Sequence, residues 1–298
     1  MPSYRTLAPG QRCRILILDI ETGATTLVHE TTEHLLEAPN WTAGEELILN
    51  GEGVLWRMPA QADAEPTRIA IGGIPELNND HVLAPDGDTI YLSANDWQIY
   101  AAPLSGGTAR RITPDDEGMF HFLHGVSPDG STLAYIGTRP LTDDLSGGWA
   151  VANVFTVGVD GSGTRALTAG TAPADGSEYS PDGEWIYFNT EQFSSAPGHA
   201  QIARMRADGT DVEQLTFDER VNWFPHVAPD GSTFYFLSFP TGTEGHPADR
   251  PVEIKLVRDN DWAGARTVAT LFGGQGTINV NGWSPRGDRF AYVEYPID

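Results

Sequence analysis

Histidines stand just ahead of a recurring tight turn in this 298-residue chain: His81 in DHVLAPDG, His121 and His124 in HFLHGVSPDG, and His226 in NWFPHVAPDG. In the corresponding segments Glu178 precedes YSPDG, Asn279 and Asn281 precede WSPRG, and His34 lies upstream of a degenerate first copy. Imidazole and carboxylate side chains exchange protons near neutral pH, and together they suit Mn, Fe, Zn or Ni better than calcium. Residues so far apart in sequence could meet only if the repeats were arranged around an axis. Three readings of the set stay open: a divalent metal site, a metal-free polar ligand or catalytic site, and a wet channel lining. The metal-ligand candidates are His81, His124, His226 and His246, the last in the Gly/Pro-rich stretch SFPTGTEGHPADRP. Glu178, His121 and Arg220 are the candidates for proton transfer and for gripping a substrate. His121 is three residues before His124, so in a regular strand it would face the other way unless the backbone bends.

The elements that must position these side chains are legible as a repeat. Gly87, Gly130, Gly183, Gly231 and Gly287 close five copies of the turn at spacings of 43 to 56 residues, and WTAGE at 41–45 is a sixth, degenerate copy. Pro presets φ and Gly accepts positive φ, so each copy is a tight turn. A run rich in aromatic and β-branched residues follows each one: TIYLSA, TLAYIG, WIYFNT, TFYFLS, RFAYVE. Such runs are strands. A second strand, a Gly-containing turn and a short closing strand complete the unit. This period and content predict an all-β chain: a six-bladed β-propeller with four-stranded antiparallel blades. The chain starts with the second half of a unit, CRILILDIETGATTLV, and finishes with the first half, GWSPRGDRFAYVEYPID. The expectation is one propeller domain over 1–298, closed by strands near 13–28 completing the blade begun by 278–294, which leaves no free sheet edge.

The balance of 18 Lys and Arg against 41 Asp and Glu, a net charge of −23, opposes non-specific binding to nucleic acid or anionic membranes. One cysteine, Cys13, excludes an internal disulfide. The apolar run Ile15–Ile20 is too short for a signal-peptide core, and no 18-residue apolar segment occurs, so a cytoplasmic monomer is expected. Trp41, Phe120, Phe122, Tyr179, Trp223, Phe224 and Trp283 cluster near the histidines. Most of these would pack between blades, and a few at the rim could stack on a sugar ring. Arg220, Arg250 and Arg139 lie in the same loops and could hold a carboxylate. A small molecule or oligosaccharide at the channel mouth is therefore the expected partner, with a protein partner as the other open possibility. No Walker loop, GxGxxG or GxSxG motif is present.

The copies YSPDGEWIYF (179–188), VSPDGSTLAY (126–135) and WSPRGDRFAY (283–292) resemble the propeller repeat of the TolB family, over nearly the whole chain. That resemblance implies the propeller fold. The repeat is also similar to that of the oligogalacturonate lyases, propellers that hold a divalent metal with histidines and a glutamine near the axis and act on acidic sugars. This second resemblance implies a metal, with an acidic oligosaccharide as substrate and lyase or hydrolase chemistry. The remaining alternative is a non-catalytic propeller that binds a ligand or a protein.

Overall fold

The computed structural model describes residues 4–114, 118–142 and 148–297. Strands make up nearly all of their regular structure, and the one helical element among them is a single 3-10 turn, Trp262–Gly264. Five four-stranded antiparallel sheets run from inner to outer strand in chain order. Their inner strands are Glu37–Trp41, Leu77–Leu83, Phe120–Val126, Ala174–Tyr179 and Val221–Val227. We call these blades I to V. Blade VI joins the two ends of the chain: Cys13–Asp19 pairs with Arg289–Glu294 on one side and Thr25–Thr31 on the other. The register Arg14↔Glu294 to Asp19↔Arg289 closes the ring as the split repeat predicts. Its innermost segment joins by a single bridge, Trp283↔Phe290.

The repeated turn does more than reverse the chain. Gly183 and Gly287 have φ of 73° and 69°, the left-handed region that Gly enters without a Cβ penalty. A Cβ on either would lie 3.4 Å from Pro128 or Pro229 in the turn of the preceding blade. The turns therefore mesh around the ring. Asp86, Asp129, Asp182 and Asp230 each accept backbone N–H bonds from two or three residues onward, and these bonds hold the turn closed. Between blades, large side chains fill the core: Tyr235 of blade V stacks on Phe290 of blade VI at 4.2 Å between ring centroids. Cys13 is buried, and burial pushes its thiol up to about 12.

Candidate functional site

All five regular inner strands carry a register slip in mid-strand: between Glu37 and Asn40, Leu77 and His81, Leu123 and Gly125, Asp175 and Glu178, and Trp223 and His226. A bulge re-aims the side chains on either side of it. Here it divides the axial channel into two ends. Towards the turns lies a funnel of about 480 Å³. Its wall takes the residue just before the turn in every blade: Trp41, Leu83, Val126, Tyr179, Val227 and Trp283. Towards the other end lies a smaller cavity of about 200 Å³ with a polar wall. His124 lines both.

One register position builds much of the polar wall. Asn79, Phe122, Asp175 and Asn279 each stand five residues before the Ala or Ser that opens the turn, and all four line the small cavity. The same position is Glu37 in blade I and Trp223 in blade V. Glu37 is taken up by Arg5, which donates to its carboxyl at 2.7 Å and to the Gln275 carbonyl at 2.7 Å. Trp223 packs on the His246 ring, with centroids 4.5 Å apart. Asn78, Asp80, Trp97, Phe224, His246 and Gln275 complete the wall. Gln275 connects them, donating to Asn79 at 3.2 Å, accepting from Asn279 at 3.1 Å and bonding His246 Nδ1.

Two aromatic residues of the wall occupy strained backbone. Trp97 has φ 67° and Phe224 has φ 55°. For bulky residues these are outliers that the surrounding structure must enforce. His121 supplies part of that enforcement for Trp97: its backbone N–H donates to the Trp97 carbonyl at 3.1 Å, and its Nδ1 lies 2.8 Å from the same oxygen. The Trp97 ring then stacks on Phe120 at 4.3 Å and 5°.

The electrostatics of the cavity centre on two carboxyls and two imidazoles. His124 Nε2 lies 2.9 Å from Asp175 Oδ1, and His246 Nε2 lies 4.0 Å from Asp175 Oδ2. Burial alone would lower the His124 imidazole, but the Asp175 hydrogen bond and the charges of Asp80 and Asp175 outweigh it and raise the ring above its ordinary value. Burial would raise Asp175, and the hydrogen bond and charge of His124 together with His246 hold it below the usual carboxylate range. His246 is lowered by burial, with Asp175 and Gln275 opposing and His124 adding to the effect. Asp80 is pushed up to about 7, first by burial and then by the charges of Asp175 and Glu37, against the pull of His124.

The structure brings together two of the histidines singled out from the sequence, His124 and His246, and separates the others from them. His226 and Glu178 meet 2.7 Å apart on neighbouring inner strands. There His226 Nε2 bonds the Ile278 carbonyl, and Glu178 accepts from Val227 N–H at 2.8 Å and from Asn281 at 2.7 Å. Both ring nitrogens face oxygens, so neither lone pair is turned to the channel. His81 is enclosed with Nε2 3.3 Å from the Ile48 carbonyl, and burial drops it to about 4. Arg220 is absent from the cavity wall: its guanidinium donates to Ser238 at 2.9 and 2.8 Å and lies 3.4 Å from Glu253. Among the described residues no group of three His, Cys, Asp or Glu is placed to hold a metal ion. Sequence reasoning missed Asp80, Asp175, Asn78, Asn79, Gln275 and Trp97. Counting five residues back from each turn would have found Asn79 and Asp175.

The fold and this axial cavity define a closed six-bladed propeller with a polar site at one end of its channel. No protein-family profile matches the chain. An uncharacterized protein, Atu1656 of Agrobacterium fabrum (strain C58), is 39% identical over 97% of this chain and 96% of its own length. A structure from Agrobacterium tumefaciens, described as a candidate TolB, superposes with TM-score 0.86 at 38% identity, covering 96% of this chain and 99% of that one. The chain belongs to this TolB-like propeller family. An oligogalacturonate lyase in complex with manganese shares the fold at TM-score 0.56 and 15% identity, over 90% of this chain and 75% of its own.

Proposed function

We propose that this TolB-like propeller binds a small polyhydroxylated molecule, about the size of one sugar ring, in the polar cavity. The observation that carries the reading is the wall itself. Four amide side chains, Asn78, Asn79, Gln275 and Asn279, surround one space together with two carboxyls, two imidazoles and three aromatic residues. An amide carries two N–H donors and an acceptor oxygen, and the capacity not spent within the wall matches a ring of hydroxyls, while aromatic surfaces match the apolar edge of a sugar. The volume of about 200 Å³ is below the roughly 300–1,000 Å³ of drug-sized sites, which favours a single ring over a long chain. Among the described residues no Lys or Arg lines the cavity, so a uronate carboxylate would lack a cation to pair with.

The test is thermal unfolding with and without D-glucose, D-galactose, D-mannose and D-glucuronate. A ligand that binds only the folded state raises the midpoint as its concentration passes Kd. A neutral sugar is expected to raise it, glucuronate is not, and Asn78→Ala is expected to reduce the shift. No shift with any of the sugars overturns the reading.

A metal-dependent reaction on an acidic saccharide is the second reading, motivated by the manganese-bound lyase of the same fold and by the approach of His124 and His246 to Asp175. As arranged, these residues do not fit a metal. His124 Nε2 is bonded to Asp175, His246 Nδ1 to Gln275, and His226 to Glu178 and Ile278. Metal analysis of purified protein decides this reading: stoichiometric Mn, Zn, Ni or Fe that is lost in folded His124→Ala and His246→Ala variants supports it, and protein that takes up none of them rejects it.

A further inference from the structure

We infer that the ligand of the polar cavity carries a positive charge, an ammonium group on a sugar-sized body, seated on Asp80. The inference deepens the ligand-binding reading above and rests on it. Its first ground is an imbalance of charge. Asp80 and Asp175 both face the cavity, and its wall contains no Lys or Arg among the described residues. Asp175 has a partner able to carry charge, His124 at 2.9 Å, and it accepts a second bond from the Gly176 N–H at 2.7 Å. Arg5, which approaches from the N-terminal segment, is committed to Glu37 and the Gln275 carbonyl. Among the described residues no Lys or Arg pairs with Asp80; its side chain bonds the neutral amide of Asn78. A residue only 5% exposed thereby faces the cavity with no cation hydrogen-bonded to its carboxyl; His124, bonded to Asp175, acts on it only through space. Isolated buried charge is costly, and such groups are normally paired.

The second ground is the aromatic wall. Trp97, Phe122 and Phe224 line the same small space as Asp80. The faces of aromatic rings attract an ammonium electrostatically. Trp97 and Phe224 are held there at positive φ, against local backbone preference. A carboxyl in a space lined by aromatic rings suits an amine and repels a uronate.

The charged and titratable groups facing Asp80 are His124 on the blade III inner strand, Asp175 on that of blade IV and Glu37 on that of blade I. Glu37 is in turn neutralised by Arg5, and His246 faces Asp175 from its loop. Burial with this surrounding negative charge keeps the Asp80 proton on up to about pH 7. At pH 6 an arriving ammonium would displace it. Asp80–COOH and R–NH₃⁺ become the pair Asp80–COO⁻ and R–NH₃⁺, and one proton goes to the buffer.

Titration calorimetry of the full chain at pH 6, in two buffers of different ionisation enthalpy, tests this with D-glucosamine, D-glucose, D-glucuronate and ethylammonium. The expected result is glucosamine binding at least about tenfold tighter than glucose, roughly the strength of one charge-assisted contact. Glucosamine should release up to one proton per site, glucose none, and glucuronate should not bind. Asp80→Asn should remove the preference and the proton release; if that variant does not fold, proton release by the unaltered protein decides. Glucose binding as tightly as glucosamine overturns the inference and leaves the sugar reading standing. A glucosamine preference without proton release, or one that persists in Asp80→Asn, also overturns it. Ethylammonium binding with proton release, while neither sugar binds, upholds the charge on Asp80 and removes the sugar reading. No binding by any probe overturns both.

Discussion

Two imidazole–carboxyl pairs lie along the channel, and they differ in what is left over. In the His226–Glu178 pair every polar atom is taken: His226 bonds Glu178 and the Ile278 carbonyl, and Glu178 also accepts from Val227 and Asn281. These bonds stitch the inner segments of blades IV, V and VI together. The His124–Asp175 pair faces a cavity, has His246 4.0 Å from Asp175, and shares its space with Asp80, whose carboxyl no Lys or Arg pairs among the described residues. A saturated pair holds a fold together, whereas a pair with open neighbours can respond to a ligand.

The largest expected effect breaks the saturated pair. Truncating one member of a buried pair leaves the other uncompensated, at a cost of about 3–5 kcal/mol. His226→Ala should lower the urea stability by that amount, and an effect below about 1 kcal/mol would show that the pair is no latch. Folded His226→Ala protein should still bind glucose, because His226 does not line the polar cavity.

The next effect tests the open end through pH. Asp80 is raised from 3.8 to about 7, so across that window the folded protein keeps a proton that the unfolded chain has lost. Stability attributable to this carboxyl therefore falls as pH rises from about 4 and is fully lost above about 7. A displacement of this size corresponds to on the order of 4 kcal/mol at most. Asp80→Asn should consequently be more stable than the parent by a few kcal/mol near pH 8, with the gain shrinking towards zero near pH 4. A gain that does not change between those two pH values would sink the assignment of Asp80 as the strained acid.

Smaller effects concern the regions outside both pairs. Gly183→Ala places a Cβ at φ 73° and 3.4 Å from Pro128, for an expected loss of about 1–2 kcal/mol in denaturant unfolding. Its ligand affinity should not change, since the residue is remote from the polar cavity. Arg220→Ala removes a partly exposed contact with Ser238 and Glu253, worth less than about 1 kcal/mol. Glucose affinity in that variant should equal the parent's; a tenfold loss would return Arg220 to the ligand site.

The propeller was legible in the sequence because its information is local and repeated. Turn residues declare their own conformation, strand runs declare their own period, and the half-units at the ends declare the closure that Cys13–Asp19 and Arg289–Glu294 make. The candidate site was legible only in part. Residues just before the turn are easily aligned, so His124, His226 and Glu178 stood out as one ring. The mid-strand slips break that equivalence: they let His226 and Glu178 lock to each other and make the position five residues before the turn the one that faces the polar cavity.

From the amino-acid order alone came the number of blades, their sequence around the axis and the place where the ring closes, since each depends on contacts between residues near in the chain or on the chain ends. Only the tertiary structure decided which polar side chains are spent and which are free to act. Whether Glu37 is neutralised depends on Arg5, and whether His246 reaches Asp175 depends on the course of the segment that carries it. Those are contacts between distant segments, and their energies depend on burial, which no single segment determines for itself.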